Sequence, residues 1–263
     1  MDNKIVYQIY PKSFKDNNHD GEGDLQGIIS KLDYLKDLGV DILWLTPVFV
    51  SPQNDNGYDV QDYYHVDPRF GSDEDLDLLI SNAKERGMDI MLDMVFNHSS
   101  TYHPWFQKAL TGDQSYMDRY FFVKEPVNWE SKFGGNAFEY VEDLDMYYLH
   151  LFDKTQADLN WENEAVFNEL VNICNHWLDK GVRGFRFDVI NLISKPDVFK
   201  DDDKGDGRRF YTDGDKVTQN LRRLGEQSFA QYSDVMTVGE LSSTSIEKAS
   251  QYLRKEIADG RVE

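Results

Sequence analysis

Short runs of apolar, β-branched residues alternate along this chain with longer runs of 3.6-residue period, the pattern of a parallel sheet wrapped by helices. Ile5 to Ile9 predicts a strand, Leu25 to Leu38 a helix, Ile42 to Leu45 a strand, Asp73 to Arg86 a helix and Ile90 to Val95 a strand. Gly39 and Gly87 follow the two helices directly and read as C-caps. Past Asn97 the rhythm stops for about 65 residues of aromatic, polar, turn-rich sequence, where an ordinary connection takes about 2 to 6. It resumes with a helix over Glu164 to Asp179, a strand over Gly184 to Asp188 and a helix over Lys216 to Ala230, then a strand over Met236 to Val238 and a helix over Ser245 to Lys255. The pattern therefore predicts an α/β chain of five strand-helix units, in which residues 1–97 and 164–263 share the sheet and 98–163 form a lobe inserted after the third strand.

Two architectures fit: part of a TIM (β/α)8 barrel, its first five βα units, or a doubly wound open sheet. Asn97, His98, Asp188 and Glu240 each fall at or just beyond the C-terminal end of a predicted strand, where both architectures assemble their sites. Composition removes other classes. Hydrophobic residues at 40% and aromatics at 14% are too rich for a disordered chain. A net charge of -20, from 48 acidic and 28 basic residues, repels nucleic acid and anionic membranes alike, and no protein partner is predicted. The N-terminus has no basic start followed by an apolar stretch, and no run approaches the ~18 apolar residues of a membrane span. The lone Cys174 lies in an apolar helical pattern, as a core thiol in a reducing compartment would, so a cytoplasmic protein is expected.

Two carboxyl groups set a few ångströms apart, one ionised and one protonated, suffice to cleave a glycosidic bond. Asp188 and Glu240 are the best such pair. Arg186, two positions before Asp188, shares its side of a strand and is expected to hold it ionised. Glu240 ends the run Met236-Thr-Val-Gly-Glu, whose apolar character suggests a partly desolvated carboxyl suited to hold a proton. Strand-end acids forming loop salt bridges are the plain alternative. Asp93, inside a strand, reads as structural. Asp16, Asn18, Asp20, Glu22 through its carbonyl, and Asp24 space oxygen donors at alternate positions around Gly21, as a hard Ca²⁺ ion requires; a solvated acidic turn is the alternative.

Three blocks in order, Asp93-Met-Val-Phe-Asn97-His98, Gly184-Phe-Arg186-Phe-Asp188 and Val238-Gly-Glu240, resemble recurring blocks of the α-amylase family. That resemblance implies a barrel, with Asp188 as nucleophile, Glu240 as general acid/base, Arg186 as support of the nucleophile and His98 as a donor to sugar hydroxyls. Gln156-Ala-Asp158-Leu-Asn-Trp161 and Ser51-Pro-Gln-Asn-Asp55-Asn-Gly-Tyr58-Asp59 are similar to blocks of the oligo-1,6-glucosidase branch. The second implies that Asp55 caps the non-reducing end of the substrate and Tyr58 stacks on its ring. The Asp16–Asp24 loop resembles the metal loop of the same branch, implying one structural Ca²⁺.

Val189 after the nucleophile resembles members acting on α-1,6 or trehalose-type linkages. Asn191-Leu-Ile-Ser-Lys195, Asp206-Gly-Arg208-Arg209-Phe-Tyr-Thr-Asp-Gly214 and Gly239-Glu240-Leu-Ser-Ser-Thr-Ser245 resemble the trehalose-6-phosphate hydrolase branch. The implied substrate is a sugar or sugar phosphate, trehalose 6-phosphate first and isomaltose-type ends second. Lys195, Arg208 and Arg209 are candidate phosphate contacts, suited by charge and, for arginine, by bidentate geometry. Family members carry a third carboxylate in an Asn-His-Asp block after the seventh strand. That letter string occurs here only as Asn18-His19-Asp20, inside the metal loop. Glu256 to Glu263 also leave the family pattern, so a truncated, inactive remnant is the competing expectation.

Overall fold

The computed structural model describes residues 3–252. Five parallel strands, β1 (Val6–Ile9), β2 (Ile42–Leu45), β3 (Asp89–Met94), β4 (Gly184–Phe187) and β5 (Met236–Gly239), hydrogen-bond in that order. Strand order thus equals chain order. A doubly wound sheet reverses at a switch point, whereas a barrel wall adds each new strand on the same side, so the order selects the barrel. In register, Ile42 faces Asp89, Met91 faces Gly184 and Gly184 faces Met236, which levels the C-terminal ends of β3, β4 and β5. Among the described residues β1 and β5 are the sheet edges, and β5 is correspondingly open, with Val238 37% exposed.

The helices begin where polar side chains satisfy otherwise unpaired N–H groups. Asp24 accepts from Gly27 N at 2.6 Å to start Leu25–Ile29, and Ser72 and Asp75 form a capping box at the start of Asp73–Glu85. Asn163 caps Glu164–Asp179. Gly39 and Gly87 take φ of +89° and +69°, the left-handed caps expected after their helices. The helix expected over Leu25 to Leu38 is two, Leu25–Ile29 and Leu32–Asp37. Ser30 returns its hydroxyl to Gly27 O, and Lys31 N reaches Ile28 O, tightening the turn and restarting the helix. Likewise the helix expected to Ala230 ends at Gln227, where Ser228 departs from helical angles. The last helix is described over Ile246–Tyr252, and its expected end at Lys255 lies outside the described residues.

Leu76, Leu79, Ile80 and Ala83 from one helix, and Val166, Phe167, Leu170, Ile173, Cys174 and Trp177 from another, seal the outer face of the sheet. Each fully buried aliphatic or aromatic side chain contributes about 1.5 to 3 kcal/mol. Cys174 is a free, buried thiol, and burial pushes its pKa up. Between β3 and Glu164 the chain forms short antiparallel pieces: His98–Ser100 pairs with Gln156–Asp158, and Met146–Leu149 lies between Phe122–Val123 and Phe138–Val141. Phe106, Tyr120, Tyr148 and Trp161 of this segment join the main core. Trp129, Phe138, Leu149 and Leu151 instead pack with Val189, Leu192 and Tyr211. The segment is therefore held over the C-terminal end of β4. Among the described residues, no helix is long and apolar enough to cross a membrane.

Candidate active site

One guanidinium organises the strand ends. Arg186 and Asp93 face each other across β4 and β3, and Arg186 and Asp188 lie two apart on one side of the chain. Arg186 Nη1 accordingly donates to Asp93 Oδ1 at 2.6 Å and to Asp188 Oδ1 at 2.7 Å, while Nη2 donates to Glu240 Oε2 at 2.5 Å. The ladder continues past the strands: Asp188 N bonds Met94 O and Glu240 N bonds Phe187 O, fixing both carboxyl-bearing residues against the sheet. Trp44 Nε1 and the Tyr58 hydroxyl, each at 3.2 Å, donate to the second oxygen of Asp93.

Three acids thus share one cation, and two of them are buried. Burial pushes Asp93 up to about 6, with Arg186 the main opposing influence. Burial also drives Asp188 well above the ordinary carboxylate range, Asp93 adds to the rise, and Arg186 opposes it. Arg186 was expected to hold Asp188 ionised. The structure places that contact, and Arg186 does lower Asp188, but the same guanidinium also serves Asp93 and Glu240, and burial of Asp188 acts against it. The desolvation expected of Glu240 is also not found. Its side chain is 44% exposed and that of Asp188 9%, because β5 is a sheet edge.

Asp55, Tyr58, His98, Phe133, Phe152, Gln156, Arg186, Asp188, Val189 and Glu240 line one cavity of about 220 Å³. It unites both candidate catalytic acids with all four candidate sugar contacts. The loop carrying Asp55 and Tyr58 is shaped by buried Asp59, which accepts from Asn54 N, Asp55 N and the Ser51 hydroxyl. Burial pushes the Asp55 carboxyl up, and a 3.0 Å bond from Gln156 Nε2 to its Oδ2 opposes the rise. Burial lowers His98 to about 4, so its ring is neutral at pH 7. Its Nε2 lies 3.0 Å from Tyr58 O, and a carbonyl only accepts, so Nε2 carries the proton. That proton already has a partner inside the protein, and donation to a sugar requires exchanging it.

Lys195, a candidate phosphate contact, is corrected. Its side chain is fully buried; Nζ pairs with Asp158 at 2.6 Å and donates to Asn97 Oδ1 and Leu192 O, each at 2.7 Å. All three ammonium protons are used in tying the inserted segment to the sheet. Arg208 and Arg209 remain at the surface, paired with Asp206 and with Asp202 and Asp203 respectively. The motif that suggested phosphate thus supplies its own counter-ions.

In the acidic loop, Asp16 accepts from His19 N and Gly21 N, Asn18 Oδ1 from Asp20 N, and Asp20 Oδ1 from Glu22 N. Asp24 accepts from Asn17 N and Asn18 N as well as capping its helix. These oxygens shape the turn. Among the described residues, no three acidic, histidine or cysteine side chains gather as a metal site. The donor chemistry of the loop, all oxygen and mostly carboxylate, still suits a hard cation.

Sequence reasoning missed three contributors to the cavity. Phe133 and Phe152, in edge-to-face contact at 5.7 Å, form an aromatic wall, and Gln156 Nε2 bridges Asp55 Oδ2 and Tyr58 O. Gln156 had a signal, since it opens the block ending in Trp161; the two phenylalanines had none beyond the aromatic richness of the segment.

Comparison with known proteins agrees with this geometry. The chain matches the α-amylase catalytic domain over residues 8–263. It is 52% identical over 255 residues to the trehalose-6-phosphate hydrolase of Bacillus subtilis (strain 168), covering 94% of this chain and 45% of the relative. It is 45% identical over 263 residues to the oligo-1,6-glucosidase of Bacillus cereus, covering 96% and 47%. The crystal structure of Bacillus licheniformis trehalose-6-phosphate hydrolase superposes with a TM-score of 0.94 at 50% identity, covering 97% of this chain and 47% of that one. The chain spans about half the length of the relatives it matches.

Proposed function

Since this chain belongs to the α-amylase catalytic-domain family of glycoside hydrolases, we propose that it carries the nucleophile, the acid/base and the glucose-binding pocket of a retaining α-glucosidase acting on trehalose 6-phosphate. The products are glucose and glucose 6-phosphate. The observation that supports this best is the shared guanidinium, which brings Asp188 and Glu240 to one wall of a sugar-sized cavity. In this reading Asp188 attacks the anomeric carbon, breaking its bond to the glycosidic oxygen as Glu240 protonates that oxygen. Water, deprotonated by Glu240, then releases glucose from Asp188. Glu240 gives up a proton in the first step and regains one from water in the second.

Greater identity to the trehalose-6-phosphate hydrolase than to the oligo-1,6-glucosidase supports the phosphorylated disaccharide over isomaltose-type ends. The sheet is read as the first five strands of an eight-stranded barrel, and residues 98–163 as its inserted domain. A cytoplasmic setting goes with a sugar-phosphate substrate and a free thiol. We also assign one structural Ca²⁺ to Asp16, Asn18, Asp20, the Glu22 carbonyl and Asp24, whose oxygens keep lone pairs beyond the N–H bonds they accept.

A chimera joining residues 1–250 to the remaining barrel of the Bacillus subtilis relative provides the test. Glucose release from trehalose 6-phosphate should exceed release from isomaltose and vanish in D188N. Faster turnover of isomaltose would move the chain to the second substrate, and full activity in D188N would end the assignment of the nucleophile.

A further inference from the structure

Lys195 is buried in a structural ion pair and Arg208 and Arg209 are occupied by aspartates, so the three cations first read as phosphate contacts are engaged within the chain. The cavity itself is acidic, with Asp55, Asp188 and Glu240 on its walls, and the chain as a whole carries -20. An anionic substrate needs a cation placed against that field.

Lys132 is such a cation. Its side chain is half-buried, and among the described residues no carboxylate lies within ion-pair distance of Nζ. Nζ instead sits 3.1 Å from both Ser242 Oγ and Ser243 Oγ, the hydroxyls two and three residues beyond Glu240. The lysine is held by its neighbours. Its N–H bonds Leu151 O at 2.8 Å, Ser131 anchors to Phe152 O, and the next residue, Phe133, lines the cavity. The serines are held too, since Asn191 donates to Ser242 O and accepts from Ser242 N. Nζ also lies 5.8 Å above the Tyr211 ring, and Arg208, Asp206 and Glu240 are near enough to act on it electrostatically. The grouping is one ammonium and two hydroxyls, each close in the chain to a residue that lines the cavity, with Lys132 beside Phe133 and the serines just after Glu240.

Building on the proposed function, we infer that Lys132, with the Ser242 and Ser243 hydroxyls, is the specificity determinant that binds the phosphate on the leaving-group sugar. The position fits the chemistry. Asp188 takes the unphosphorylated glucose, and the departing glucose 6-phosphate lies on the Glu240 side. A dianionic phosphate replaces the two serine contacts of Nζ with charge-assisted ones, while both hydroxyls turn to donate to its oxygens.

The experiment compares this chain with K132Q and K132R by calorimetry, titrating trehalose 6-phosphate and unphosphorylated trehalose. The wild type should prefer the phosphorylated sugar. K132Q should lose about tenfold to a hundredfold in affinity for it and hold plain trehalose unchanged, while K132R keeps most of the preference. Circular dichroism of both variants checks folding. A preference that survives in K132Q overturns the role of Lys132 and leaves the substrate reading standing. Equal losses on both sugars also overturn it, marking the lysine as a support of the loop. A wild type without preference overturns the assignment to Lys132, and the chimera then decides the substrate reading separately.

Discussion

Replacing Asp93 by asparagine should stabilise the chain at neutral pH while harming the site. Asp93 is 1% exposed, and its carboxyl is raised from 3.8 to about 6 even with Arg186 bonded to it. An acid whose folded pKa is raised binds its proton more tightly folded than unfolded. Its contribution to stability is therefore fully present below about 4 and is lost as pH rises through about 6. At pH 7 the ionised group costs about 3 kcal/mol relative to a permanently neutral one. Asparagine is close to that neutral group in shape. It has one acceptor oxygen where aspartate has two, and Trp44 and Tyr58 both donate to Oδ2. Tyr58 can reverse its hydroxyl to accept, but the Trp44 N–H loses its partner at a cost of about 1 kcal/mol. The net gain is about 2 kcal/mol, or about 4 to 8 °C in Tm for a chain of this size.

Thermal melts of both proteins from pH 4 to pH 7 provide the assay. The difference between them is the quantity to follow, because His98 and His103, both lowered to about 4 by burial, titrate in the same window with the opposite sign. The advantage of D93N should be small near pH 4 and grow towards pH 7. A variant less stable than wild type at pH 7, or a difference that does not change with pH, would refute the reasoning that Asp93 is held against its ionisation.

Three further outcomes follow from other contacts. K195M should cost about 3 to 5 kcal/mol in urea unfolding, because it leaves Asp158 buried without its cation; a loss confined to phosphate affinity would restore Lys195 to the substrate site. D20A, or excess chelator, should lower Tm if the acidic loop binds Ca²⁺, and an unchanged melt with chelator would remove the ion from the account. D55A in the chimera should reduce kcat/KM by about 10- to 100-fold on phosphorylated and plain glucosides alike, since Asp55 lies in the glucose pocket; a loss on one class only would relocate it to the leaving-group side.

The sheet was legible because its strands are short, apolar and separated by helices of clear period. Ile42–Leu45 and Glu164–Asp179 have the boundaries the pattern gives. What periodicity left open was strand order, which depends on contacts between segments more than 40 residues apart. The helix break at Ser30 was hidden because Ser30 and Lys31 interrupt the backbone without interrupting the apolar period. In the site, Asp188, Arg186 and Asp55 could be read from their motifs. The fates of Lys195 and Lys132 could not. One lysine looks like a surface cation and is buried on Asp158; the other has no motif and bonds the serines that follow Glu240.

That exchange of roles follows from how charge is neutralised. Asp158 is fully buried, accepts from Leu151 N and Asn97 Nδ2, and pairs with Lys195, so that buried lysine is committed to it. Arg208 and Arg209 stand within a run of aspartates at 201, 202, 203 and 206, and any arginine in such a run meets a carboxylate before it meets a ligand. A cation free to recognise substrate must therefore lie where acids are absent from its own segment. Residues 131–138, Ser-Lys-Phe-Gly-Gly-Asn-Ala-Phe, contain none, and the flanking Glu130 and Glu139 make no ion pair with Lys132. Among the described residues Lys132 bonds two serine hydroxyls and makes no ion pair, which leaves its charge available to an anion.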